Sequence, residues 1–233
     1  MMLVGAIACG PGGGGLFKQY EYEEEVYLDL DGSATVIVNA SIPALVALRG
    51  FDLDPNPRAR LDRSKLRAQY ESPVTRVTRV SRPWRRNGRR FVQVRVEVDD
   101  IRTLSSAAPF AWSDYRLYQE KNAFVYRQEL APPPPREVGD VRWDGSELVA
   151  FRLHLPSRIS FHNAPSRRVE RGNILAWQQP LRDRRAGEPL RLEARMETSS
   201  ILYRTLWLFG MAFGSAMAVL GMAIWWVVRK KES

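Results

Sequence analysis

The C-terminal region contains one uninterrupted apolar stretch, residues 205–228, with 24 residues and no ionisable side chain. As a helix rising about 1.5 Å per residue it would span roughly 36 Å, and a bilayer core of about 30 Å requires about 20 apolar residues. A buried helix of a soluble protein is the alternative interpretation. Because nothing else in the chain is apolar enough to surround such a helix, we expect one transmembrane helix at residues 201–228.

Basic residues are concentrated directly after this stretch. Arg229, Lys230 and Lys231 follow it at once, in a tail of residues 229–233, whereas only Arg204 precedes it closely. Cytoplasmic flanks of membrane helices carry an excess of Lys and Arg. We therefore expect a single-pass protein of the cell membrane, with a cytoplasmic C-terminus and an extracytoplasmic main domain.

The N-terminal segment, residues 1–9, reads as a short export signal. Its end, Ala6-Ile7-Ala8-Cys9, resembles a bacterial lipobox, in which the cysteine is acylated, so Cys9 is the lipidation candidate. The alternative is an ordinary signal peptide with an incidental cysteine. Ala6 stands where Leu is usual and no basic residue precedes the apolar run; a start site further upstream would explain the shortness. Residues 10–17 are Gly-rich and predict a flexible linker.

Composition excludes several kinds of site. The chain has one cysteine and two histidines among 233 residues, which argues against a disulfide scaffold, a Cys-rich zinc site and a His-rich metal centre. We expect neither a metal nor another cofactor. The hydrophobic fraction of 45% and the charged fraction of 26% are ordinary for a globular domain.

Residues 18–200 predict a β-rich extracytoplasmic domain. Runs of alternating apolar residues are separated by turn signals at Asp31-Gly32, Asn87-Gly88 and Lys121-Asn122. Short helices are predicted at residues 43–48 and 62–70, in connections between strands, which argues against a doubly wound parallel sheet. The predicted fold class is α+β, mainly β: an antiparallel sheet or barrel-like domain with short helices, followed by one transmembrane helix.

The order of these signals resembles the bacterial lipoprotein family typified by LppM of mycobacteria. The matching features are the start at Cys9, the opening hairpin at residues 28–50, the blocks at residues 161–163 and 171–177, the strand at residues 190–194, and the terminal membrane helix. The resemblance implies a β-rich domain with helices packed on it that is proposed to bind lipidic envelope components. It defines no catalytic residues, and this chain departs from it at Ala6 and in its arginine-rich hairpin.

Enzyme chemistry finds little support in the sequence. No G-x-S-x-G motif is present, and the only imidazoles are His154, predicted to face solvent on a strand, and His162, predicted in a loop. Neighbouring carboxylates are interpreted as solvated strand-end or turn residues; they are Asp52, Asp54, Asp99 and Asp100. We predict no catalytic residues and no enzymatic activity.

The second hairpin carries a concentration of positive charge around the Asn87-Gly88 turn. Guanidinium groups bind phosphate and carboxylate in a bidentate manner, and Trp favours membrane interfaces. The hypothesis is contact with phospholipid head groups or an anionic envelope polymer; the alternative is a solvated turn. The candidate residues are Arg82, Trp84, Arg85, Arg86, Arg89 and Arg90.

Small residues recur at a four-residue spacing in the apolar stretch, at Gly210, Gly214 and Ala218. Such a stripe allows close helix packing, so a homodimer or a partner helix is one expectation. We predict a membrane-anchored extracytoplasmic binding protein for lipid or glycolipid envelope components, with membrane lipids as partners and no nucleic acid. The alternative is a non-catalytic accessory subunit that docks through its helix with a transporter or envelope complex.

Overall fold

The structure, a computed structural model, describes residues 20–133 and 136–231. The signal-like segment at residues 1–9, the lipidation candidate Cys9 and the linker at residues 10–17 lie outside the described residues. So does half of the four-proline run at residues 132–135.

The described ranges form eleven strands in two sheets. The first sheet has the order β10-β8-β1-β2-β5-β3, with β4 paired to β5, and the second has the order β6-β7-β11-β9. The strands are β1 (Tyr20–Leu28), β2 (Ala34–Ser41), β3 (Arg76–Val80), β4 (Trp84–Arg86), β5 (Arg89–Val98), β6 (Ser113–Glu120), β7 (Ala123–Leu130), β8 (Leu148–His154), β9 (Ser157–His162), β10 (Ile174–Pro180) and β11 (Leu190–Ser200).

Helices lie in the connections between strands, as the sequence predicted. Ser41 caps α1 by accepting a hydrogen bond from the backbone N–H of Ala44, and Gly50 ends it in the left-handed conformation. Asp62 caps the second helix in the same way. The helices are α1 (Ile42–Arg49), α2 (Arg63–Tyr70), α3 (Leu181–Arg185) and α4 (Ile201–Lys231), with 3₁₀ turns at Ile101–Ser106 and Ala108–Phe110.

The predicted fold class is confirmed, with two sheets instead of one. The three predicted hairpins form, joining β1 to β2, β4 to β5, and β6 to β7. Two elements differ from the prediction: His162 ends strand β9 instead of lying in a loop, and α3 was not predicted. The strands β1 and β8 also pair in parallel, because a long segment crosses between the sheets before β8 begins.

Helix α4 continues directly from the last strand of the second sheet. Its window Thr205–Ala223 has a mean hydropathy of 1.7 and is not buried against the rest of the described chain. By length and composition this helix can cross a membrane.

A single buried carboxylate, that of Glu24 on β1, joins both sheets and a helix. Its Oε1 accepts hydrogen bonds from Tyr115 Oη on β6 (2.7 Å) and Gln128 Nε2 on β7 (3.0 Å). Its Oε2 accepts from Tyr22 Oη (2.8 Å) and from Arg49 Nη2 at the end of α1 (2.6 Å). Burial strongly raises the pKa of Tyr115, so its hydroxyl remains a donor to the carboxylate. The relative position of the two sheets therefore depends on a charged group.

A second polar contact joins the two sheets at Asn163, directly after β9. Asn163 Oδ1 accepts hydrogen bonds from the indole of Trp177 on β10 and from the backbone N–H of Glu193 on β11, both at 2.9 Å. Its amide donates to the Arg191 carbonyl at 2.9 Å. Asn163 and Trp177 thus have a structural role in joining the two sheets.

We predict that Glu24→Gln will lower the free energy of unfolding by about 3–5 kcal/mol, because it leaves the buried Arg49 cation without its counter-ion. Urea unfolding of the full chain in non-ionic detergent, followed by far-UV circular dichroism, measures the loss. Asp114→Asn, which breaks the exposed pair with Arg116 (2.5 Å), is the matched control and should change little. Equal losses for the two variants would contradict this account of the core.

Candidate functional site: an arginine-lined cleft

A cleft of about 620 Å³ opens beside the tip of the β4–β5 hairpin. Three segments that are distant in sequence form its walls: the hairpin tip, the loop after α1 and the loop before β8. Its lining residues are Pro43, Asp54, Pro55, Asn56, Pro57, Arg58, Arg85, Gly88, Arg89, Val138, Asp140, Val141 and Arg142.

Local turn chemistry fixes each wall. Asn87 and Gly88 have φ values of 49° and 72°, the conformation that a tight two-residue hairpin requires. In the loop after α1, Asp54 Oδ1 accepts from the Asn56 N–H (2.8 Å) and Asn56 Oδ1 accepts from the Arg58 N–H (2.9 Å). These successive side-chain turns, with the two prolines between them, hold Arg58 at the cleft.

Arg89 is an internal structural residue. Its Nη2 lies 2.8 Å from Glu21 Oε1 and 3.7 Å from Glu147 Oε1, and its Nη1 donates to the Arg142 carbonyl at 3.0 Å. Its side chain is 8% exposed. The guanidinium therefore forms the floor of the cleft and holds the Arg142 loop against β1.

Arg90 and Arg86 also face protein atoms. Arg90 donates to the carbonyls of Asp54 (2.5 Å) and Ala59 (2.6 Å), and burial lowers its pKa. Arg86 donates to the Tyr20 carbonyl at 2.8 Å. The expectation of one solvent-facing cluster is thus corrected for Arg86, Arg89 and Arg90, because backbone carbonyls and buried carboxylates bind them.

Arg82, Trp84 and Arg85 remain on the exposed side of the tip. The Trp84 ring stacks on Phe91 with the ring centres 5.9 Å apart and stays 39% exposed. Only this part of the predicted set is available to a ligand or a surface.

Three exposed arginines converge on the cleft: Arg58, Arg85 and Arg142. Within residues 20–133 and 136–231, none of the three side chains forms an ion pair or hydrogen bond. The two lining carboxylates, Asp54 and Asp140, each accept a backbone N–H. The cleft therefore presents three unpaired guanidinium groups around one opening, an arrangement suited to phosphate or carboxylate oxygens.

Sequence reasoning missed Arg58 and Arg142. Both lie in loops without regular periodicity, 27 and 57 residues from Arg85 along the chain. The local signals are two X-Pro steps before Arg58 and an Asp-x-Arg turn before Arg142. They predict turns but do not indicate which distant residues lie beside these arginines. Only the long-range fold brings the three guanidinium groups together.

The cleft and helix α4 lie near opposite ends of the first sheet. Tyr20, whose carbonyl binds Arg86, pairs with Leu148 at the start of β8. Eight residues later, the Pro156 carbonyl accepts a hydrogen bond of 3.1 Å from Ile201, the first residue of α4. At about 3.3 Å per residue, the two ends are roughly 25 Å apart. The cleft therefore lies far from the point where helix α4 leaves the domain.

The remaining candidates lie outside the cleft. His154 is partly buried on β8, where its ring stacks on Tyr27 at 3.8 Å and its Nε2 lies 3.3 Å from Glu25. The close contact with His154, together with the Tyr27 hydroxyl that donates to Glu25, lowers the pKa of the Glu25 carboxyl. In the part of the chain that the structure describes, no group of three metal-ligating side chains occurs. Gly210, Gly214 and Ala218 line one exposed groove of α4.

Comparisons with known proteins found little similarity. No family model matches the chain, and no curated protein matches it. Among solved structures, the NMR structure of the folded domain of LppM from Mycobacterium tuberculosis matches with a TM-score of 0.42 and 14% identity. The match covers 81% of this chain and 96% of that domain.

We predict opposite outcomes for two neighbouring arginines at the tip. Arg89→Met should lower the free energy of unfolding by about 3–5 kcal/mol, because it leaves Glu21 and Glu147 buried without a cation. Arg85→Met should leave stability unchanged, since that side chain is exposed and unpaired. Urea unfolding of the full chain measures both variants. A stable Arg89→Met protein would contradict the structural role of Arg89.

Proposed function

We propose that this protein is a membrane-anchored, extracytoplasmic binding protein that holds an anionic group of a lipid or glycolipid envelope component in the arginine cleft. The observation that carries the proposal is the convergence of Arg58, Arg85 and Arg142 on one opening without acidic partners for their side chains. Unpaired guanidinium groups repel each other, and an anion between them removes this repulsion. The fork of each group matches phosphate and carboxylate oxygens.

The position of the cleft favours a ligand that approaches from outside the anchoring membrane. Head groups directly beneath the domain are nearer to α4, about 25 Å from the cleft along β8. A polar head group that extends far from its membrane, or one that is carried on another surface, can reach the cleft at this distance from α4. Trp84 is exposed on the same hairpin, outside the cleft lining, and offers an amphipathic surface to other parts of the ligand.

We predict that the triple variant R58Q/R85Q/R142Q will bind anionic vesicles about 100-fold more weakly than the wild type. Each basic residue near an anionic surface contributes about 1 kcal/mol, and about 1.4 kcal/mol corresponds to a tenfold change in affinity. The assay reconstitutes the full chain in phosphatidylcholine nanodiscs and measures binding to added phosphatidylglycerol vesicles. Pure phosphatidylcholine vesicles give the background.

The control R116Q/R158Q/R191Q removes three exposed arginines of the second sheet and gives the same net charge. It should retain most of the binding. Competition by glycerol phosphate would assign recognition to the anionic group alone. Equal weakening of the two triple variants would leave only non-specific charge attraction and overturn the proposed site.

A second candidate function is that of an accessory subunit docking through α4. The observation in its favour is the exposed groove of about 740 Å³ along the small-residue face of the helix. Leu206, Trp207 and Met211 flank the glycines of that groove. A neighbouring helix could approach closely there, because Gly210 and Gly214 have nothing within 4 Å of a Cβ position.

We predict that Gly214→Ile will dissociate any complex that this groove forms, because a branched side chain would fill the groove. Crosslinking in native membranes, followed by mass spectrometry, measures homodimers and partner subunits. Gly221→Ile, outside the groove lining, is the matched control. An unchanged set of crosslinked species in Gly214→Ile would exclude docking through this face.

A further inference from the structure

A second group of cationic side chains is buried in the core, away from the cleft. The Trp112 cluster, as we define it, consists of Arg49 at the end of α1, Tyr70 at the end of α2, Trp112, and Arg184 on α3. Tyr70 and Arg184 are fully buried, and the Arg49 side chain is 1% exposed. Both guanidinium carbons lie within 5.8 Å of the Trp112 ring centre, that of Arg49 at 3.7 Å.

The cluster has more hydrogen-bond donors than acceptors. Six buried polar atoms have no hydrogen-bond partner among the described residues: Arg49 Nε and Nη1, Arg184 Nε and Nη1, Trp112 Nε1 and Tyr70 Oη. The five nitrogens can only donate. Buried donors without acceptors are rare, because each loses its hydration without compensation.

The one carboxylate in contact with the cluster cannot supply the missing acceptors. Glu24 already accepts four hydrogen bonds, from Tyr22, Arg49, Tyr115 and Gln128. A carboxylate offers about four such positions. Glu24 therefore neutralises Arg49 but is not available to Arg184.

Arg184 is bound only by a backbone carbonyl. Its Nη2 donates to the Ala131 carbonyl at 3.0 Å. No acidic side chain among the described residues pairs with it. Burial, together with the nearby Arg49 cation, lowers the pKa of Arg184. Among the described residues, two buried cations thus share one anion.

Aromatic rings stabilise the faces of these cations but not their edges. The guanidinium carbon of Arg49 lies 3.7 Å from the Trp112 ring centre and 4.7 Å from that of Tyr22. Such cation–π contacts act on the flat face of the guanidinium. The N–H groups lie in its plane and still require oxygen acceptors.

We infer that the Trp112 cluster is a buried binding site for one anionic group, a carboxylate or a phosphate. An anion supplies the two things that the cluster lacks. It brings a negative charge for Arg184, and it brings several acceptor oxygens for the N–H groups in the guanidinium planes. Water is a poorer occupant, because it must donate its own two hydrogens and leaves the net charge unchanged. This site is separate from the arginine cleft and extends beyond the proposed function.

The test measures the thermal unfolding of the full chain in non-ionic detergent, with inorganic phosphate or acetate as the probe. Sodium chloride at equal ionic strength and pH is the reference. A ligand that binds only the folded state raises Tm with its concentration. We expect phosphate, acetate or both to raise Tm by about 5 °C at saturation relative to chloride. The anion that acts distinguishes a phosphate site from a carboxylate site.

Two variants assign the shift to the cluster. Arg184→Met keeps the length of the side chain but removes the cation, and should abolish the shift. Trp112→Phe keeps an aromatic ring but removes the indole donor, and should raise the half-saturating concentration about tenfold. If Arg184→Met does not fold, the half-saturating anion concentration of Trp112→Phe tests the inference instead.

The cleft variant R58Q/R85Q/R142Q should retain the shift, which separates this site from the proposed function. If the shift disappears in that variant and persists in Arg184→Met, the anion binds in the cleft and the inference is overturned. An identical Tm in phosphate, acetate and chloride also overturns it.

Discussion

The Glu24 carboxylate connects the sheet that carries the cleft with the sheet that leads into α4. The first sheet carries one wall of the cleft, and the second sheet continues through β11 into the apolar helix α4. Glu24 stands on β1 of the first sheet and binds Tyr115 and Gln128 of the second. Because a buried charge requires its hydrogen-bond partners to remain in place, this contact holds the sheet that carries the cleft against the sheet that leads into α4.

Local signals in the sequence predicted much of the fold. The hairpin turns and the capped helices α1 and α2 form as predicted, because Asn-Gly, Asp-Gly and Ser/Asp caps act within a few residues. The sequence did not predict strand β9, because its burial does not follow its hydrophobic pattern. The polar Ser157 is buried, and the apolar Phe161 is exposed. The parallel pairing of β1 with β8 depends on residues more than a hundred positions apart, which no local pattern encodes.

The candidate site was predictable only in part. Five arginines near one turn indicate a basic tip, but adjacent positions cannot reveal which guanidinium will be buried. Arg89 is internal because Glu21, 68 residues away, lies beneath it. Arg85 is exposed, and no acceptor among the described residues binds its side chain. Arg58 and Arg142 reach the cleft through loops whose spatial relation follows from the whole fold.

The role of each arginine in this chain depends on which hydrogen-bond acceptors lie near its guanidinium group. Arg89 has carboxylates and is a structural link; Arg90 has carbonyls and anchors a loop. At the cleft arginines and at Arg184, the positive charge remains without a counter-ion from the described chain. An anion bound as proposed would reduce the repulsion between the guanidinium groups at the cleft and would satisfy the buried donors around Trp112.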